Sequence, residues 1–150
     1  MESRKIELER FEDVLAAVRR DFPHLTIQVD RNHPYVDALA ELPAQTSLDF
    51  QVSFNLQNAD ELHLNVSRLW VEWFPCRKQE VADQFIDAVT GILSGRYRVV
   101  ESYLLGSFAG ARLQRPDGKG KWKTIKRCTY LLGFVPWLRS QRVVQNSPSA

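Results

Sequence analysis

The stretch FQVSFNLQNADELHLNVSRLWVEWF, Phe50 to Phe74, decides the fold. Phe50, Val52, Phe54 and Leu56 alternate with Gln51, Ser53 and Asn55, and Leu62, Leu64 and Val66 alternate with His63, Asn65 and Ser67. Apolar residues at every second position mark strands with one dry face and one wet face. The polar run Gln57 to Asp60 between them predicts a short turn, so the two strands form an antiparallel hairpin. After Ser67 the alternation slips. Leu69, Trp70, Val71, Glu72, Trp73 and Phe74 are apolar on both faces apart from Glu72. Parity carried over from Leu62 would turn Arg68 and Glu72 toward the core. A bulge near Ser67 and Arg68 would return Leu69, Val71 and Trp73 to it. In either register Trp70 and Phe74 share a side with Glu72, and that side needs a cover or a ligand.

Outward from this stretch the chain reads as helix, strands, helix, strands. Ile6, Phe11, Val14, Leu15 and Val18 recur at helical spacing over 3–21, with Ser3 as N-cap and Pro23 as the stop. A short strand follows over Leu25 to Val29, and the alternation of Val36, Ala38, Ala40 and Leu42 favours another. Val81, Phe85, Val89, Ile92 and Leu93 form the stripe of a second helix over 78–94, closed by Gly95. Then come a strand over 97–105, a flexible turn over 106–110, and a hairpin of 111–115 with 121–132. That hairpin's parity is imperfect, because Trp122 and Ile125 cannot share a face of a regular strand. A short C-terminal helix is read over 136–145 and a disordered tail over 146–150. The expected architecture is α+β: a single domain over 1–145, with a single mostly antiparallel sheet of about five to seven strands and two amphipathic helices packed on one face.

At 150 residues, 44% hydrophobic and 25% charged, the chain has the make-up of one globular domain. Disorder, collagen-like repeats and low complexity are excluded. No apolar run approaches the roughly 18 residues of a membrane span, and the charged start at Met1 shows no secretory signal. A cytoplasmic location is expected. Cys76 and Cys128 form no Cys-x-x-Cys pair and match no zinc spacing, so they read as reduced thiols. Cys76, next to Arg77 and Lys78 near a helix start, has neighbours that favour a thiolate.

The net charge of +2 is divided unevenly. Residues 1–95 carry nine Lys/Arg and sixteen Asp/Glu, and residues 96–150 carry eleven and two. The basic run consists of Arg112, Arg115, Lys119, Lys121, Lys123, Lys126 and Arg127, with Trp122 inside it. Such a hairpin suits a polyanion, cations to phosphates and a ring to a base. Its plainer explanation is attraction to the acidic half. Asp30, His33, Asp37 and Glu41 are metal-ligand types without a metal motif; Asp60, Glu61 and His63 sit at the hairpin turn, where Asp60 and Glu61 read as turn chemistry. No metal and no cofactor are expected. Ser107, within Gly106 to Gly110, stands one place too early for a nucleophile elbow, and Gly118-Lys119 lacks the P-loop spacing.

Three functions compete. The first is a non-catalytic protein-interaction or ligand-binding module using Trp70, Glu72, Trp73 and Phe74, its partner another protein or a second copy of the chain. The second is a nucleic-acid or phosphate-ligand binder using the basic hairpin over 112–127. The third is a small enzyme in which Glu72, desolvated among aromatic rings, acts as a general acid or base together with His63 or His33.

Overall fold

A computed structural model describes residues 2–130 and 138–147, with side chains from residue 4 onward. Helix α1 spans Glu2–Asp21, so Ser3 lies inside it. Five strands follow: β1 Gln28–Asp30, β2 Ala38–Leu42, β3 Val52–Gln57, β4 Glu61–Val66 and β5 Leu69–Trp73. Each pairs antiparallel with the next, in the order β1-β2-β3-β4-β5. Helix α2 is Gln79–Leu93, and β6 Arg98–Leu104, β7 Ser107–Pro116, β8 Trp122–Thr129 and β9 Arg139–Val144 form a second antiparallel sheet in the order β8-β7-β6-β9.

The expected single sheet is therefore two sheets, of five and four strands. Side chains explain why β5 and β8 run side by side without a shared ladder. The Lys126 ammonium donates to the Glu72 carbonyl at 2.8 Å, and the Cys128 thiol faces the Arg68 carbonyl at 3.9 Å. Backbone acceptors on the β5 edge are thus taken by β8 side chains, and a lysine on an edge is a common way of blunting it.

The slip after Ser67 has an equally local cause. Val66 pairs with Leu69, so Ser67 and Arg68 form a two-residue hairpin turn with Ser67 at φ 53°. The chain reverses there rather than bulging, and parity restarts. Ala40, Phe54, Leu64 and Val71 lie in one row across the sheet, flanked by the rows Leu42, Val52, Val66, Leu69 and Ala38, Leu56, Leu62, Trp73. All twelve are buried. Phe54 meets Phe11 of α1 at 5.5 Å and Phe85 of α2 at 6.3 Å between ring centroids. Val99, Ala111, Leu113 and Val144 of the second sheet join the same apolar cluster.

Three further expectations change. The segment read as a helix over 136–145 is strand β9 from Arg139 onward, because Val143 and Val144 complete the open edge of β6; positions 136–137 lie outside the described residues. The turn placed over 106–110 is shorter: Leu105 (φ 50°) and Gly106 (φ 81°) make it, and β7 already begins at Ser107. The disordered tail expected from 146 does not begin there. Asn146 is buried, accepts from Asp49 N, and donates to the Ser47 and Leu93 carbonyls at 2.8 and 2.7 Å. Positions 148–150 and 131–132 also lie outside the described residues. The parity fault at Trp122 and Ile125 is a register shift: Leu113 pairs with Lys126 but Gln114 with Thr124, leaving Ile125 as the extra residue.

Helix α2 meets β6 through a close contact at Gly91. A Cβ built there would stand 2.6 Å from the Tyr97 ring, which is itself buried. Gly91→Ala gains about 1 kcal/mol of helix propensity and incurs an overpacking cost of about 1–3 kcal/mol. A lower melting temperature than that of the unaltered chain is the expected result of a thermal melt.

Candidate functional site

The outward face of β5 carries Trp70 and Glu72, and Phe74 follows the strand, exposed, whereas Trp73 turns inward and packs edge-on against Phe85 at 5.1 Å. The four residues singled out on this strand thus separate: one is core and three are surface. Trp70 is 45% and Phe74 62% exposed. The Glu72 side chain is 56% exposed, so it lies on a wet rim and not in the enclosed apolar setting expected of a desolvated acid.

Where β5 passes β8, Trp70, Val71 and Glu72 face Lys126, Arg127, Cys128, Thr129 and Tyr130 across a groove of about 400 Å³. Tyr130, 61% exposed, closes one side of it. Lys126 lies 4.8 Å from the centre of the Trp73 ring. Burial lowers its pKa, partly offset by the nearby Glu72 carboxylate.

Behind Glu72 the same face becomes polar and closed. Register sets Asn55, His63 and Glu72 in one row across β3, β4 and β5. Glu61, two places before His63 on β4, shares that face. His63 is fully buried, its ring stacked on Trp70 at 5.0 Å and 26°. Its Nε2 lies 3.0 Å from Glu61 Oε2 and 3.8 Å from Glu72 Oε2. A hydrogen bond from Asn58 Nδ2, and next the one with His63, hold the Glu61 carboxyl below its usual range. Glu61, His63 and Glu72 form the one cluster of three metal-ligand types among the described residues. Glu61, expected to serve only the turn, thus joins His63 and Glu72. The usable signal was Glu-x-His within a strand, which puts both side chains on one face.

Asp30, His33, Asp37 and Glu41 do not gather. Asp30 accepts from Asn32 N, His33 from Tyr35 N, and Asp37 from Arg4 and Ala59 N. The basic hairpin is likewise not one patch. Val100, Arg112 and Arg127 share a row on the outer face of the second sheet. On that face Arg98 lies 4.0 Å over the Trp122 ring and donates to Gln114. Arg115, Lys119 and Lys123 instead line a polar cleft of about 490 Å³ with Arg96, Asp87 and Asp117. Asp117 is occupied by the backbone N–H groups of Lys119 and Lys121 within its loop. Burial opposes ionisation of Asp87, but hydrogen bonds from the Tyr97 hydroxyl and Arg96 outweigh it and lower its pKa.

Both cysteines are free thiols. The thiolate-favouring setting read for Cys76 is reversed: burial first, then the hydrogen bond with Asp60, pushes its pKa up to about 12. Arg77 and its backbone N–H are committed to the Asp60 carboxylate, so they give the sulfur little help.

At the β4–β5 turn stands Glu101 of β6. It is fully buried and accepts from the Ser67 hydroxyl, the Arg68 N–H at 3.1 Å and the Tyr103 hydroxyl at 2.6 Å. Burial raises its pKa, but these bonds outweigh that effect and hold the carboxyl below its ordinary range. Glu101 thereby ties the second sheet to the β4–β5 turn and fixes one wall of the groove against the other.

No described helix is long and apolar enough to cross a membrane. No family model matches the chain, nor does any curated protein or solved structure.

Proposed function

We propose that this chain is a non-catalytic binding module that takes an extended segment of a partner protein into the groove between β5 and β8. The observation that carries the reading is the exposure of Trp70 and Tyr130 on facing walls of this groove, with Phe74 exposed just beyond the end of β5. Large aromatic side chains left in water at a concave site are typical anchors of protein interfaces. Lys126 on the facing wall favours acidic residues beside the partner's apolar anchors. Glu72, exposed on the rim, orients the partner's polar groups in this reading and does no proton transfer. The compartment proposed is the cytoplasm, where Cys76 and Cys128 remain thiols.

Selection from a displayed library of random peptides by the immobilised full chain tests this. The expected yield is sequences pairing an aromatic or large aliphatic residue with neighbouring Asp or Glu. A pool without enrichment, or one enriched in Lys and Arg, contradicts the reading. Self-association is the competing occupant, and sedimentation equilibrium of the free chain distinguishes it: a dimer dispersed by Trp70→Ala assigns the groove to a second copy.

A second reading has one observation in its favour. Arg96, Arg115, Lys119 and Lys123 converge on one cleft, which suits a small phosphate ligand better than a long polyanion. Binding of inorganic phosphate or a nucleotide that weakens with salt and is lost in Arg115→Ala would support it.

A further inference from the structure

Three donors of mixed chemistry meet behind the groove, and they do so through strand geometry rather than chance proximity of mobile chains. His63 and Glu72 are direct cross-strand partners, and Glu61 is two residues from His63 on the same face. The imidazole is fully buried and its ring plane is set by the stack on Trp70. One donor atom from each of the three lies within 4.8 Å of the others. Ligand atoms about 2.0–2.2 Å from a common zinc-class ion stand roughly that far apart or closer. One imidazole with two carboxylates is a nitrogen-oxygen set suited to zinc-class ions, and it carries two negative charges when the ring is neutral.

A second observation points the same way. His63 Nδ1 and Asn55 Oδ1 are both buried and without a hydrogen-bond partner among the described residues. Asn55 stands directly across the β3–β4 ladder from His63. If Nε2 keeps its proton to donate to Glu61, Nδ1 is left a bare buried acceptor, and the cross-strand neighbour Asn55 offers a second one. An ion on Nε2 forces the other tautomer, in which Nδ1–H becomes a donor and Asn55 Oδ1 is the acceptor on the neighbouring strand. Metal-bound histidines nearly always donate their second ring N–H in this way.

We infer that Glu61, His63 and Glu72 form a binding site for a divalent ion of the zinc class, with Asn55 as the positioning residue behind the imidazole. Three protein ligands leave a fourth coordination position for water. The site does not depend on the partner-binding reading, since its ligands lie behind Trp70 and not on the groove wall, Glu72 excepted. Lys126 is the cation that opposes it, its ammonium held at the Glu72 carbonyl.

The test is titration of the full chain, prepared metal-free, with Co²⁺ followed by its visible ligand-field absorption, and then with Zn²⁺ as competitor. The expected result is saturable binding of one Co²⁺ per chain, displaced by Zn²⁺. Glu61→Gln and Glu72→Gln, at positions that reach solvent, should each weaken binding by at least about tenfold while leaving the melting temperature of the metal-free chain nearly unchanged. His63→Gln removes a core ring, so it is read only beside those two. Absence of saturable binding, or undiminished 1:1 binding in the Glu61→Gln, Glu72→Gln double variant, overturns the inference.

Discussion

Glu101→Ala should cost the fold about 3 kcal/mol at neutral pH, because charge-assisted hydrogen bonds are individually worth about 1.5–3 kcal/mol and three donors lose their acceptor. Ser67 and Arg68 are exposed and recover part of the loss from water, which keeps the figure from being larger. The loss depends on pH in a defined direction. The folded carboxyl is held below its ordinary range, so its stabilisation is complete above the unfolded value of about 4.3 and disappears as pH falls through the lower folded value. Urea unfolding at neutral pH and again in acid should therefore show the gap between Glu101 and Glu101→Gln chains narrowing in acid. A gap that persists unchanged below the folded pKa would mean that ionisation of Glu101 contributes nothing.

Phe54→Ala should be the most damaging single truncation, at about 3–5 kcal/mol for a buried phenylalanine. Phe54 occupies the central row of the first sheet and touches one ring from each helix, Phe11 and Phe85. Its removal opens a cavity where α1, α2 and β3 meet, and flat strand rows cannot collapse into it. Phe54→Leu keeps most of the volume and should cost clearly less. Equal losses for the two variants, by chemical unfolding at constant m-value, would show that the site relaxes freely and that this junction is not the centre of the core.

Much of the first sheet was legible because its signals are local. The alternations over Val52 to Leu56 and Leu62 to Val66 need only the period of the side chains, and so do the stripes of α1 and α2. What failed to show was how edges pair. That β8 lies beside β5 without joining it depends on Lys126 and Cys128 reaching carbonyls more than fifty residues away. Val143 and Val144 fit a helix or a strand equally well until the free edge of β6 is in place. The Ser67–Arg68 reversal was hidden because the pair lacks the Gly or Asn that marks a two-residue hairpin, and a reversal disturbs parity just as a bulge does.

The candidate site divides along the same line. Trp70, Glu72 and Phe74 were readable as one side of a strand. The basic run looked continuous in sequence, yet strand alternation and the register shift at Ile125 send Arg112 and Arg127 to one face, and Arg115 and Lys123 to the other. Glu72 and His63 were readable as a candidate acid-base pair, but their meeting with Glu61 was not, because Glu72 arrives from the neighbouring strand. Glu101 carried no signal, since a lone acid in an apolar run reveals neither its burial nor its three donors.

The central claim is that the β5–β8 groove binds a partner through its exposed aromatic rim. Its most direct test is calorimetric titration of a library-selected peptide into the unaltered chain, Trp70→Ala, Phe74→Ala and, as a control on the opposite face, Arg112→Ala. The account predicts that Trp70→Ala and Phe74→Ala each weaken binding by at least about tenfold, the size of a hot-spot truncation above roughly 1.4 kcal/mol, with Arg112→Ala unchanged. Equal affinity for all four chains would place the binding surface elsewhere and contradict the account.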